Sequence, residues 1–249
     1  MPASVDFSLQ STKPLSYKMS SLFHGALIEL LGDNQELTQF LHVNRPHPYA
    51  QHLENRDGNW HWIVSFLNDA ALNAIWENKL KNLKTFTLTH NDCEISLVGY
   101  QFTAVPYETL TKIFYHENSP KVIDIDFMTP TAFRSNGKYI FIPDLKLIYQ
   151  SLMFKYDTAL SSESMFDEEV LNELVSQTSL VRYRLQSTTF ALEGTAIPAF
   201  IGSIRIRSGG NRTITNFLQM LLKFGEFSGV GIKTALGMGA IKISLPANK

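Results

Sequence analysis

Phe224-Gly225-Glu226-Phe227-Ser228-Gly229-Val230-Gly231-Ile232-Lys233-Thr234-Ala235-Leu236-Gly237-Met238-Gly239 puts five glycines into the fifteen positions from Gly225 to Gly239. Glycine weakens helices and strands, so such a cluster marks backbone that must turn with positive φ or lie close against something. The stretch opens where a helix ends: Thr213–Phe224 carries Ile214, Phe217, Leu218 and Leu221 at helical spacing. It closes on Ala240–Leu245, which reads as a short strand. Upstream, Leu180–Leu192 and Ala196–Arg207 are long strand-like runs meeting at Glu193-Gly194. Before them come a helix over Asp167–Gln177, a helix opened by Pro143 and running towards Thr158, and a strand over Val122–Phe127. The glycine stretch therefore ends a βαββαβ unit.

The first half repeats that order. Val5–Gln10 alternates as a strand, and Ser16–Leu31 places Met19, Leu22, Phe23, Ala26, Leu27 and Leu30 at helical spacing. Gln35–Leu41 suggests a further helical turn or two, and His42–Pro48, with two prolines, a loop. Tyr49–Leu53 and Asn59–Phe66 are strands flanking an Asp57-Gly58 turn. Asn68 can cap a helix over Asp69–Leu80, and Thr85–Thr89 and Glu94–Ala104 are strands. Two such units predict an α+β chain of tandem ferredoxin-like, RRM-like domains, 1–105 and 118–249, with Pro106–Pro120 as linker and the Gly-rich loop near the end. A single mixed domain is the alternative.

Size and composition narrow the classes. The 249 residues suffice for one large core or two small ones, and no apolar run approaches the ~20 residues that span a bilayer. Met1–Ser11 lacks the basic-then-apolar pattern of a signal peptide, and the one cysteine, Cys93, can form no internal disulfide; both fit a reducing cytoplasm. Net charge is −1, yet its distribution is uneven: Leu180–Lys249 holds nine Lys/Arg against two Asp/Glu, the remainder 13 against 21. A basic pole that carries the glycine loop suits an anionic partner.

Main-chain N–H groups in a glycine loop suit phosphate oxygens, and Lys233 adds a point charge. A nucleotide-binding P-loop is excluded, because Ile232 stands where glycine must precede the lysine. The dinucleotide fingerprint fails at Thr234, where its third glycine belongs. A turn that only connects two elements is the plain alternative.

Three features carry a family resemblance. Phe227–Gly239 is similar to the signature G-rich loop of the CRISPR-associated repeat-processing endoribonucleases of the RAMP superfamily. Phe127-Met128-Thr129-Pro130-Thr131-Ala132-Phe133 is similar to the block opening that family's second domain. His24-Gly25, then Leu41-His42, then Pro48-Tyr49 resemble its N-terminal pattern. The resemblance implies tandem ferredoxin-like domains, binding of CRISPR repeat RNA and metal-independent cleavage of the precursor transcript into guide RNAs, leaving 2′,3′-cyclic phosphate and 5′-OH ends. No cofactor is implied. A non-catalytic RAMP-type RNA-binding subunit of an interference complex is the alternative, and other such subunits or a homodimer are further partners it allows.

Cleavage by the neighbouring 2′-OH needs a base, an acid and a cation for the phosphorane; imidazole suits proton transfer near neutral pH. His42, matching the family's histidine, is the first candidate, with His47 as second proton carrier and Arg45 as cation. Tyr17, Ser21 and His24 fall on one helical face, which is expected to border the site; His24 is equally readable as a packed residue. Where some family members carry a helix tyrosine, this chain has Phe23, which leaves that role empty or passes it to Tyr17. A metal on His42, His47, His52 and Glu54 is disfavoured by their spacing. RNA contacts are expected from Gly229, Gly231, Lys233, Gly237 and Gly239, from Arg182, Arg184, Arg205 and Arg207 across the hairpin, and from Arg212 and Lys223.

Overall fold

A computed structural model describes residues 1–32, 46–89, 92–160, 166–192 and 194–244. The first half is a five-stranded antiparallel sheet of order β2-β3-β1-β5-β4. β1 (Ala3–Ser11) buries alternate residues, Ala3, Val5, Phe7 and Leu9, as a strand with one covered face must. β2 (Tyr49–Arg56) and β3 (Asn59–Phe66) join through Asp57 and Gly58, both at positive φ, the turn that matches strand twist. β4 (Thr85–Leu88) pairs with the start of β5 (Cys93–Ala104).

Two helices cover the inner face. α1 (Ser20–Leu31) buries Phe23, Ala26, Leu27 and Leu31. α2 begins over Asp69–Ala71, with the Asn68 side chain accepting from the Ala71 N–H, and continues as a wider π-type helix over Leu72–Leu80. At the centre Trp62 packs on Phe7 and Phe23, with ring centroids 5.8 and 5.4 Å apart. The predicted helical turn over Gln35–Leu41 lies outside the described residues.

The second half has the sheet order β11-β6-β10-β9, formed by β6 (Val122–Thr131), β9 (Thr178–Leu192), β10 (Thr195–Ser208) and β11 (Ile241–Ser244). Ranked by appearance in each half, both sheets follow the ferredoxin-like order 4-1-3-2, the first with β4 added at its edge. Where a linker was expected, α3 (Tyr107–His116) forms a helix that buries Leu110 and Ile113 in the second core. Asn216, wholly buried, fastens the far end of α3 by donating to the Phe114 and Glu117 carbonyls. A small hairpin, β7 (Phe133–Ser135) with β8 (Lys138–Ile140), was also not anticipated; it turns at Asn136-Gly137. α4 (Leu145–Leu160), α5 (Glu168–Ser176) and α6 (Arg212–Ser228) complete this half. No helix among the described residues is long and apolar enough to cross a membrane.

The two halves meet through the glycine loop. Ala235 is buried among the first core's side chains. Gln51 of β2 donates to the carbonyls of Ser20 (2.9 Å) and Ala235 (3.1 Å), while its oxygen accepts from the Trp62 indole (2.9 Å). One buried amide, fully satisfied, thus ties α1, the first sheet and the loop together.

Candidate active site

The loop is packed as protein against protein over most of its length. Gly229, Gly237 and Gly239 are buried; Gly231, Ile232 and Lys233 form its partly open edge. Its N–H groups are largely spent inside the fold: Val230 donates to the Gly239 carbonyl, Gly231 to Ser151 Oγ, Ile232 to the Ala132 carbonyl and Gly239 to the Pro130 carbonyl. A Cβ on Gly231 (φ +74°) would lie 2.3 Å from the Ala132 oxygen, and on Gly239 (φ +71°) 2.0 Å from the Val230 oxygen. The glycines are therefore explained by close backbone contact within the chain, and the phosphate cradle expected from their N–H groups narrows to the edge around Lys233. That residue is itself left-handed (φ 56°, ψ 34°), an uncommon conformation for a side-chain-bearing residue and one concentrated at functional loops.

Beneath the loop is Lys155, only 4% exposed. Its ammonium donates to the carbonyls of Ser228 and Gly229, both at 3.1 Å, and to Thr234 Oγ1 at 3.3 Å. Burial pulls its pKa down to about 7.

Three aromatic side chains gather beside the open edge. His24 Nδ1 lies 3.0 Å from the Tyr49 hydroxyl, and their rings are nearly parallel, 6.1 Å apart. His47 packs on both, at 5.7 Å from Tyr49 and 6.5 Å from His24. Burial raises the Tyr49 pKa well above its ordinary value, so the phenol keeps its proton. A neutral phenol can donate to Nδ1 or accept from it, according to the imidazole tautomer. His47 also lines a cleft of about 460 Å³ with Arg134, Tyr139, Lys155 and Lys233. A neighbouring hollow of about 400 Å³ is lined by His24, Ser21 and Leu236.

The other candidates separate. His42 and Arg45 lie outside the described residues. Tyr17 lies on a short 3₁₀ turn capped by Ser16 and packs edge-on against Trp60 at 4.9 Å, lining a different hollow from the one that His24 lines. Phe23 is core. His52 is half-buried in β2, and desolvation there pulls its pKa down to about 4.

On the hairpin, Arg205 faces Arg182 across β9 and Asp124 across β6. It grips Asp124 with two hydrogen bonds, 2.6 and 2.7 Å, which hold that carboxyl below its usual pKa. Arg205, expected on RNA, thus has a protein partner that strand pairing supplies and its sequence neighbours do not. Lys223 is paired with Glu226, and Arg212 donates to the Tyr115 carbonyl. Arg182, Arg184 and Arg207 are exposed and carry no ion pair among the described residues.

Comparisons with known proteins agree with this architecture. Residues 125–241 match the family model for CRISPR-associated endoribonuclease Cas6. A Cas6 endoribonuclease of Streptococcus thermophilus is 34% identical over 222 residues, 89% of each chain. The chain belongs to the Cas6 family. A Mycobacterium tuberculosis Cas6 endoribonuclease is 31% identical over 88% of this chain and 70% of its own. A solved Cas6 product complex shares the fold with a TM-score of 0.80 at 21% identity, covering 98% of this chain and 99% of that one.

Within this Cas6 chain, the sequence reading missed Tyr49, Arg134 and Lys155. Tyr49 carried a signal, since it follows Pro48 in the N-terminal pattern, but it read only as the start of a strand. Arg134 sits on the unforeseen hairpin. Lys155 is one lysine in an otherwise ordinary helix, and nothing local distinguishes it.

Proposed function

We propose that this chain cuts CRISPR repeat RNA with its own side chains, by transfer rather than by metal-activated water. The 2′-oxygen attacks the adjacent phosphorus as an imidazole takes its proton. The bond from phosphorus to the 5′-oxygen breaks, and a second acid returns a proton to that oxygen. The products are a 2′,3′-cyclic phosphate and a 5′-OH. The observation that carries this reading is the convergence of His47, the His24–Tyr49 pair and the Lys233 edge on neighbouring clefts, from segments far apart in the chain. Lys233 and Arg134 supply positive charge where the phosphorane develops it. His42 and Arg45 remain candidates for the second proton carrier and a further cation. Arg182, Arg184 and Arg207 hold the backbone of the repeat. A cytoplasmic setting, where transcripts are made, suits this activity.

The test is single-turnover cleavage of repeat RNA from the chain's own locus in excess EDTA. Cleavage is expected to proceed in chelator, to stop when the scissile nucleotide is 2′-deoxy, and to fall about 10²-fold or more in His47→Ala and His42→Ala. Loss of activity in EDTA, or cutting of the 2′-deoxy substrate, overturns the mechanism. Binding without cutting marks an RNA-holding subunit instead.

A further inference from the structure

We infer that Lys155 is a positioning residue for the RNA cleft: from beneath the glycine loop it ties the end of α6 to Thr234, and so fixes residues 230–233 as the cleft wall. This rests on the RNA-cleaving reading above.

The geometry is a clamp with two points on one helix. Ser151 and Lys155 stand one turn apart on α4, so they share a face. Ser151 Oγ accepts from the Gly231 N–H at 2.8 Å. Four residues on, the ammonium reaches Ser228 and Gly229 on one side of the wall and Thr234 on the other. Residues 230–233 are the span between those anchors, and they include the left-handed Lys233.

The chemistry selects an ammonium. Three acceptors converge on one nitrogen, and only the charged amine has three donors; the planar fork of arginine cannot aim three at a point. The Ser228 and Gly229 carbonyls end a seventeen-residue helix, where backbone oxygens lack helical partners and the dipole favours a cation. Burying a charge is nonetheless costly, and an apolar side chain of similar volume often serves stability as well. An ammonium kept here is therefore better explained by the shape it imposes than by the stability it adds. With its donors engaged and the residue almost wholly covered, Lys155 is not a group that grips RNA itself.

The test compares wild type with Lys155→Met and Thr234→Val, the latter removing one acceptor only. The probe is a labelled single repeat RNA from the chain's locus, 2′-deoxy at the scissile nucleotide. Lys155→Met is expected to raise Kd about tenfold, about 1.4 kcal/mol, and Thr234→Val about threefold. With the uncut repeat at saturation, the single-turnover rate should fall less than the affinity. Amide exchange at 230–233 should quicken, while the melting temperature at pH 7 is held or rises. An unchanged Kd in a folded Lys155→Met protein overturns the inference, as does a loss of affinity that merely tracks a loss of melting temperature in both variants. If wild type itself ignores repeat RNA, the functional reading fails, and amide exchange still decides on the clamp: faster exchange upholds it and unchanged exchange removes it. If Lys155→Met does not fold, Thr234→Val decides by the same measurements.

Discussion

Gly239→Ala separates two explanations of the glycine loop. Gly239 has φ +71°, and an added Cβ would sit 2.0 Å from the Val230 oxygen, far inside van der Waals contact with backbone that cannot swing aside. Moving Val230 would strain the hydrogen bond from its N–H to the Gly239 carbonyl, now 2.8 Å, and would disturb the cleft wall beside it. A left-handed alanine costs about 1–2 kcal/mol, and overpacking adds roughly 1–3. For a chain of this size each kcal/mol shifts Tm by roughly 2–4 °C, so a loss of about 2–5 kcal/mol should lower Tm by about 4–20 °C. Gly58→Ala is the control. It shares a positive φ (+89°) but nothing lies within 4 Å of the added carbon. It should show only the conformational cost, about 1–2 kcal/mol. Thermal unfolding of both variants without RNA is the assay. If Gly239→Ala melts no lower than Gly58→Ala, the steric argument is refuted. If its melting point is unchanged while repeat RNA binds more weakly, Gly239 faces a ligand after all.

Lys155 should give stability an unusual dependence on pH. Its folded pKa of about 7 lies below the ordinary lysine value of 10.5, so between those limits the unfolded chain binds the extra proton. The unfolding free energy should rise with pH there, by up to ~1.4 kcal/mol per unit from this one group; urea unfolding at pH 7 and 9 should show an increment that Lys155→Met lacks, and equal increments refute it. Arg182→Ala and Arg184→Ala should each lower the salt slope of RNA binding by about 1, whereas Arg205→Ala should leave the slope nearly unchanged and instead remove the partner of Asp124. A full unit of slope lost in Arg205→Ala would place that guanidinium on phosphate. Tyr49→Phe deletes the hydroxyl that hydrogen-bonds His24; a hydrogen bond worth about 1 kcal/mol predicts about fivefold slower single-turnover cleavage, and an unaltered rate and pH profile would remove Tyr49 from the site.

Legibility followed the range of the forces involved. Element order was readable because apolar periodicity and turn residues act locally: Asp57-Gly58, Asn68 and the alternation of β1 need no distant partner. The helix within Pro106–Pro120 was not legible, because Leu110 and Ile113 find their burial on α6 only in three dimensions. The same limit governed the site. Nothing near Arg205 in the sequence foretold Asp124, which β6 brings alongside, and nothing near Tyr17 foretold its packing on Trp60. Lys155 was invisible, for its acceptors lie 73 to 79 positions away.

Gln51 sets a schedule. Its partner carbonyl on Ala235 is 184 residues downstream, which at roughly 5–20 residues per second leaves the ribosome some tens of seconds of further work. Until then the first sheet can form around Trp62, yet the wall that the glycine loop adds beside it is missing. The clefts proposed to hold RNA are therefore completed only once the glycine loop has left the ribosome.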